Sequence, residues 1–263
     1  VPYRVDLRHG GDDVLDRLVE LGAIDAEFSH DGRVAALMPD SVGPEQVARA
    51  LQADISASPA TGRDAGSVWV LGPRAITIGR LRIVPADIEA EPEALRLIDG
   101  AAFGTGLHPT TALCLEAIEE EVRIAVPDAV LDVGTGSGVL AMGALKMSVP
   151  RALGIDVDDE ALRVASENAR INGLGERLQL ARGGPETVTG TWPLVVANLL
   201  AAPLIEMAPA VVRRVGRDGQ LVLSGIPSSV EREVDQAYRR VGMRRVRVKS
   251  RAGWVAIVLR PSW

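Results

Sequence analysis

From Pro109 onward, strand-like and helix-like stretches alternate at the spacing of a parallel sheet, and no other feature limits the fold as strongly. Helical spacing over residues 109–122 precedes an aliphatic strand at 129–133 and a helix at 138–147. A strand at 152–156 leads to a helix at 158–172, and a short strand follows at 178–181. Next come strand 194–197 with helix 203–215, and strand 220–224 with helix 228–241. Such alternation predicts an α/β fold: a Rossmann-like, doubly wound, mostly parallel seven-stranded sheet. The last two strands, 244–248 and 254–259, have no helix between them and are expected to form an antiparallel hairpin. Aromatic residues make up only 3% of the chain, so the core must be built from Val, Leu, Ile and Ala. That suits strands buried on both faces.

The first 56 residues read as a small α+β domain: strand 3–7, helix 12–21, a hairpin within 24–38 turning at Asp31-Gly32, and helix 44–51 with Pro44 in its first turn. Residues 57–66 (ASPATGRDAG) have the composition of a linker, which leaves 67–263 as the second domain. This domain opens with two strand-like runs, 68–71 and 76–84, and then an acidic stretch, 86–98, to which no element is assigned.

Bulk properties exclude several functions. Cys114 is the only cysteine, so neither an intrachain disulfide nor a cysteine zinc cluster can form; in an apolar helical stretch it reads as a small core residue. His9, His30 and His108 are scattered, and no metal site is expected. A net charge of −6 argues against a broad basic surface, and direct nucleic-acid binding is not expected. The basic run Arg239, Arg240, Arg244, Arg245, Arg247, Lys249 and Arg251 reads as a solvated face, with Val246 and Val248 packing inward. No apolar run approaches the roughly 18 residues of a membrane span. The chain begins Val1-Pro2-Tyr3-Arg4, without a signal-peptide pattern, and the cytoplasm is the expected compartment.

Four stretches carry chemistry. In Val130-Leu131-Asp132-Val133-Gly134-Thr135-Gly136-Ser137-Gly138, an aliphatic strand ends in an acid and a glycine turn opens a helix. A nicotinamide fingerprint would need a glycine where Val139 stands; the spacing is D-x-G-x-G-x-G instead. S-Adenosylmethionine has an amino-acid tail and no pyrophosphate, so it does not need the phosphate-cradling turn. Asp132 can hold the ammonium of that tail, directly or through water. Asp156 ends the next strand, where a carboxylate meets ribose hydroxyls; Asp158, Asp159 and Glu160 are available to cap the following helix. Asn198 ends the fourth strand, beside the crevice of an open α/β sheet, and offers a donor and an acceptor. A turn-forming Asn would read the same way. The string AFGTGLHPTT (102–111) joins a glycine-rich loop to a helix start with two threonines.

Taken together, these stretches resemble the PrmA family, the methyltransferases of ribosomal protein L-eleven. The resemblance runs from about Ile76 to the C-terminus and is sharpest in AFGTGLHPTTALCLEAIE, LDVGTGSGVLA, GIDVDDEALRVASENARING, VVANLLAAPLIEMAP and LVLSGI. It implies a class I S-adenosylmethionine-dependent protein methyltransferase, releasing S-adenosylhomocysteine. It also implies cofactor contacts from Thr111, Gly134, Asp156 and Asn198, the last beside the methyl-transfer site, while Phe103, Gly104, Gly136 and His108 match the same motifs. The implied acceptors are amines of a protein, a lysine ε-amine or an N-terminal α-amine, and the implied partner is a ribosomal protein. Ile76-Thr77-Ile78-Gly79-Arg80-Leu81-Arg82-Ile83-Val84-Pro85 matches the family's strand before the catalytic domain, but the preceding stretch is short, with Trp69 alone where a fuller pattern is usual. Residues 1–56 would then be a compact recognition domain. Three other readings compete: a methyltransferase of the same fold acting on another protein, a small molecule or RNA; a nicotinamide oxidoreductase; and a non-catalytic nucleoside-cofactor binding module.

Overall fold

The computed structural model describes residues 2–28, 33–60, 75–98, 108–251 and 253–263. The chain divides into two compact units: Val1–Pro73 with Arg251–Gly253, and Arg74–Ser250 with Trp254–Trp263.

The N-terminal unit contains β1 (Tyr3–Leu7), α1 (Asp12–Glu20), β2 (Asp25–Phe28), β3 (Val34–Met38), α2 (Pro44–Leu51) and β4 (Ser56–Pro59). Its strands form a sheet in the order β2-β3-β1-β4, and each neighbouring pair is antiparallel. Val5, Leu7, Val34, Ala36 and Met38 bury one face against Leu15 and Leu18 of α1 and Val47 and Leu51 of α2. Strand β4 begins the stretch read above as a linker. Its residues, Ser-Ala-Ser-Pro, are small and all exposed, so no apolar alternation announces it; pairing along β1 makes it a strand. The turn at Asp31-Gly32 and the run 68–71 lie outside the described residues.

The second unit opens with a small sheet. The run 76–84 is two strands rather than one: β5 (Ile76–Ile78) and β6 (Leu81–Pro85) are antiparallel, with Ile78 opposite Leu81. Gly79, at φ 56°, supplies the left-handed conformation that so short a hairpin link needs. The unassigned acidic stretch contributes β7 (Leu95–Leu97), parallel to β6.

Then follow α3 (Pro109–Ile124), β8 (Val130–Val133), α4 (Val139–Lys146), β9 (Ala152–Asp156), α5 (Asp159–Ile171), β10 (Leu178–Arg182) and β11 (Trp192–Asn198). The chain ends with α6 (Ala201–Glu206), α7 (Ala208–Val212), β12 (Val215–Pro227), α8 (Glu231–Arg240), β13 (Met243–Arg251) and β14 (Trp254–Pro261). The seven-stranded sheet has the order β10-β9-β8-β11-β12-β14-β13. The first five strands are parallel, and β14 runs antiparallel to β12. The expected doubly wound α/β sheet is therefore present.

One sheet face packs against α3, α4 and the small sheet through Val130, Val196, Val222 and Val258, while the alternate residues Leu131, Val195, Leu221 and Leu259 meet α6, α7 and α8. The helix expected over 203–215 is broken at Met207 into α6 and α7. Pro209 has no amide proton to give the carbonyl of Ile205, and its ring would collide with that carbonyl in a continuous helix.

Strand order reverses between β8 and β11, one strand leading left to β9 and the other right to β12. A crevice opens at such a reversal, above the carboxyl ends of the strands. Helices α3 and α4 pack closely where Leu115 fills the space that the absent side chain of Gly143 leaves; a Cβ there would lie 2.4 Å from Leu115 Cδ2. Leu115 is fully buried, so Leu115→Ala should cost about 3 kcal/mol of unfolding free energy. Urea denaturation checks this, and a loss below about 1 kcal/mol would show the site to be loosely packed.

Candidate active site

Register places three of the expected residues level with one another. Val133 pairs with Ile155 of β9 and with Ala197 of β11, so the next residues along the three strands are Gly134, Asp156 and Asn198. With neighbouring strands about 4.8 Å apart, Asp156 and Asn198 flank Gly134 at one strand spacing each. Leu199 closes the gap from the β11 side: a Cβ on Gly134 would stand 2.4 Å from Leu199 Cδ2, and the Leu199 amide donates to the Ser224 carbonyl at 3.1 Å.

The glycine turn runs through three left-handed residues, Gly134 at φ 72°, Gly136 at 54° and Gly138 at 81°. Only glycine adopts that sequence of conformations without strain. Gly134 and Thr135 donate their amides to the Ile155 carbonyl, both at 2.9 Å. Asp156 braces the same turn, because its Oδ2 accepts from the Gly136 amide at 2.9 Å and its Oδ1 from the Asp158 amide at 3.1 Å. Capping of α5 falls to Asp158, which accepts from the Glu160 amide at 2.9 Å. Asp156 is partly exposed at the crevice, as a ribose contact requires.

Asp132 lies behind the turn, 1% exposed. Its Oδ2 accepts from the Thr135 hydroxyl at 2.8 Å and the Ala141 amide at 3.1 Å. That oxygen is committed to the protein; any hold on an ammonium falls to Oδ1, which is buried and unpaired among the described residues. Burial raises the Asp132 carboxyl to about 7, against the opposing pull of Thr135 and Ala141 and with a further upward push from the charge of Asp156.

Helix α3 starts at the crevice. His108 is its N-cap: Nδ1 lies 2.8 Å from the Thr110 hydroxyl and accepts from the Thr110 amide at 3.4 Å. Burial lowers the imidazole to about 4, so the ring is neutral near pH 7, and it meets the Trp254 indole edge-on at 4.9 Å. Thr110 and Thr111 are fully buried. Phe103 and Gly104 lie outside the described residues.

Three of the buried side-chain atoms without a partner among the described residues belong to the motifs that point to S-adenosylmethionine: Thr111 Oγ1, Asp132 Oδ1 and Asn198 Oδ1. Buried polar atoms are rarely left so, and a ligand offering an ammonium and hydroxyls has the groups to pair them. Two apolar residues that motif reading passed over also border the site: Val157, 70% exposed directly after Asp156, and Leu200, 66% exposed two residues after Asn198. The available signal was an aliphatic side chain stranded between a strand-terminal polar residue and a helix.

Among the described residues no cluster of three or more His, Cys, Asp or Glu side chains could hold a metal, and no helix is long and apolar enough to cross a membrane. Arg239, Arg240, Arg244, Arg245 and Arg251 of the basic run are exposed, as read from the sequence, whereas Arg247 and Lys249 are partly buried in ion pairs. Arg247 bonds Glu120 and Glu121, Lys249 bonds Glu116 and Glu120, and Arg245 bonds Glu231. Val246 does not pack inward as read from the sequence: on the edge strand β13 it is 43% exposed.

A pH effect follows from Asp132. Its unfolded carboxyl titrates near 3.8 and its folded one near 7, so over that range the folded state keeps a proton that the unfolded chain has lost. Stability should fall as pH rises through this window, by at most about 1.4 kcal/mol per pH unit, and level off above it. Asp132→Asn keeps an acceptor oxygen and removes the titration. Across the window the variant should gain stability relative to the unmodified protein in denaturant titrations; a constant difference would contradict the assignment.

Comparison with known proteins agrees with this geometry. The family described as "Ribosomal protein L11 methyltransferase (PrmA)" matches residues 69–262. A ribosomal protein L11 methyltransferase of Pelobacter propionicus is 38% identical over 205 residues, covering 75% of this chain and 66% of that protein. One from Allorhizobium ampelinum is 42% identical over 185 residues, covering 68% of this chain and 62% of that protein. The chain thus matches somewhat less than two thirds of the length of these relatives. The crystal structure of a ribosomal protein L11 methylase from Lactobacillus delbrueckii subsp. bulgaricus superposes with a TM-score of 0.66 at 31% identity, over 72% of this chain and 100% of that one. The chain belongs to the ribosomal protein L11 methyltransferase (PrmA) family.

Proposed function

We propose that this protein transfers methyl groups from S-adenosylmethionine to amines of a ribosomal protein of the L11 type, at a lysine ε-amine, an N-terminal α-amine or both. The observation that carries this reading is the level placement of Gly134, Asp156 and Asn198 on three adjacent strand ends. Family membership supports the acceptor, since the relatives' names specify L11.

In this reading the Asp156 carboxylate accepts from the ribose hydroxyls, and Gly134 and Gly136 admit the ligand close to the backbone. Asp132 Oδ1 and the Thr111 hydroxyl are the buried groups available to the amino-acid end, with Phe103, Gly104 and His108 on the segment leading into α3. Val157 offers apolar surface next to Asp156 for the base. S-Adenosylmethionine supplies a methyl on a sulfonium, which is already an activated leaving group.

What remains for the protein is alignment and desolvation. The attacking amine must be neutral, whereas a free lysine ammonium has a pKa of about 10.4. Apolar surroundings disfavour the charged form, and Leu200 supplies such a surface beside Asn198. The Asn198 carbonyl oxygen, buried and without a partner among the described residues, is suited to accept an amine N–H and aim the nitrogen lone pair at the methyl carbon. The N–C bond forms as the S–C bond breaks, and the surplus proton passes to water. No residue is assigned as a general base. The N-terminal unit, Val1–Pro73 with Arg251–Gly253, is proposed as the recognition domain.

Labelled methyl transfer to purified L11, followed by peptide mass spectrometry, tests the reaction: methylated amines support the reading, and transfer to nucleic acid or to no acceptor would defeat it. Asn198→Ala should lower kcat on the order of 100-fold, the usual cost of misplacing a reacting group. Cofactor affinity should change far less, and unchanged turnover would remove the role given to Asn198.

A further inference from the structure

We infer that Asn168 is a positioning residue that sets cofactor affinity without touching the cofactor, by tying the glycine turn to the small three-stranded sheet. Asn168 lies on α5 and is fully buried. Its Nδ2 donates to the Ser137 carbonyl at 2.9 Å, and its Oδ1 accepts from the Ile98 amide, just past β7, at 2.8 Å. One side-chain amide thus spans two segments whose sequence positions are far apart.

Ser137 stands between the left-handed Gly136 and Gly138, where the backbone has the greatest freedom of its own. The peptide joining Ser137 to Gly138 is held at both ends: Asn168 takes its carbonyl, and the Gly138 amide donates to the Thr135 carbonyl at 2.8 Å. Ala165, one helical turn before Asn168, adds a steric stop, because a Cβ on Gly138 would stand 3.2 Å from Ala165 Cβ. Asp132 and Asp156 fix the turn at Thr135 and Gly136; Asn168 fixes it at Ser137. Without the Asn168 bond the Ser137 carbonyl would be held less firmly, part of the turn's ordering would fall to binding, and the cost would appear as lost affinity.

Asn172, the residue that ends α5 one turn later, provides the control. Its Oδ1 accepts from the Arg96 amide at 2.9 Å, and its Nδ2 donates to the Arg96 carbonyl at 2.6 Å. It clips β7 to the end of α5, and its Nδ2 also donates to the Asn168 carbonyl at 2.8 Å, but none of these bonds reaches the glycine turn.

The inference rests on the cofactor reading above, so titration of the unmodified protein with S-adenosylhomocysteine is the reference; absence of binding there defeats that reading and not this one. Asn168→Asp keeps an acceptor for the Ile98 amide and turns a carboxylate oxygen toward the Ser137 carbonyl. Measured below its melting transition, it should raise the Kd for S-adenosylhomocysteine at least tenfold. The KM for S-adenosylmethionine should rise similarly, while kcat at saturation stays within threefold. Asn172→Ala should lower Tm and leave the Kd within twofold. Asn168→Ala, which adds no charge, is measured in parallel and should also lose affinity should the Asp variant fail to fold. A Kd within twofold of the unmodified protein in either folded Asn168 variant, or an equal loss in Asn172→Ala, would overturn the inference.

Discussion

Much of this site depends on one carboxylate. Asp156 terminates β9, and its two oxygens take the amides of Gly136 and Asp158, one from the glycine turn and one from the start of α5. A turn through three left-handed glycines has little conformational preference of its own. Held from the neighbouring strand, it becomes a preformed concavity instead of a loop to be ordered on binding. Asp132 supports it from beneath, at the expense of a buried carboxyl whose own ionisation is suppressed.

The sheet makes that arrangement possible. Parallel strands in register deliver the residues after Val133, Ile155 and Ala197 to one level, and the reversal of strand order between β8 and β11 keeps helices from covering them. Function-bearing groups are thereby placed on the ends of rigid elements while the flanks remain free to vary. The electrostatics are also locally organised. Arg247 and Lys249 of β13, which look from the sequence like a basic surface, are spent on the acidic side of α3, and this ties the edge strand to the helix that carries His108 and Thr111.

Much of this was legible in the residues. Aliphatic runs marked β8, β9 and β11, and Asp132, Asp156 and Asn198 at or near their ends gave the candidate site residues. Other features were hidden for physical reasons. Strand β7 is a Leu-Arg-Leu triplet in an acidic stretch, and the amides of Asn168 and Asn172, some 70 residues away, support its backbone. Strand β4 has no buried side chain at all, so only its pairing along β1 defines it. The break at Met207 was visible in Pro209, but apolar periodicity on both sides concealed it. The bracing of the glycine turn by Asp156 is a tertiary contact between motifs that sequence reading treats one at a time.

Calorimetric titration of the folded protein with S-adenosylhomocysteine, alongside Asp156→Ala, tests the central claim most directly. One ligand should bind per chain in the unmodified protein, and the variant, which loses both the expected ribose contact and the brace on Gly136, should show no saturable heat at the same concentrations. Absence of heat from the unmodified protein, or equal binding by the variant, would contradict the account.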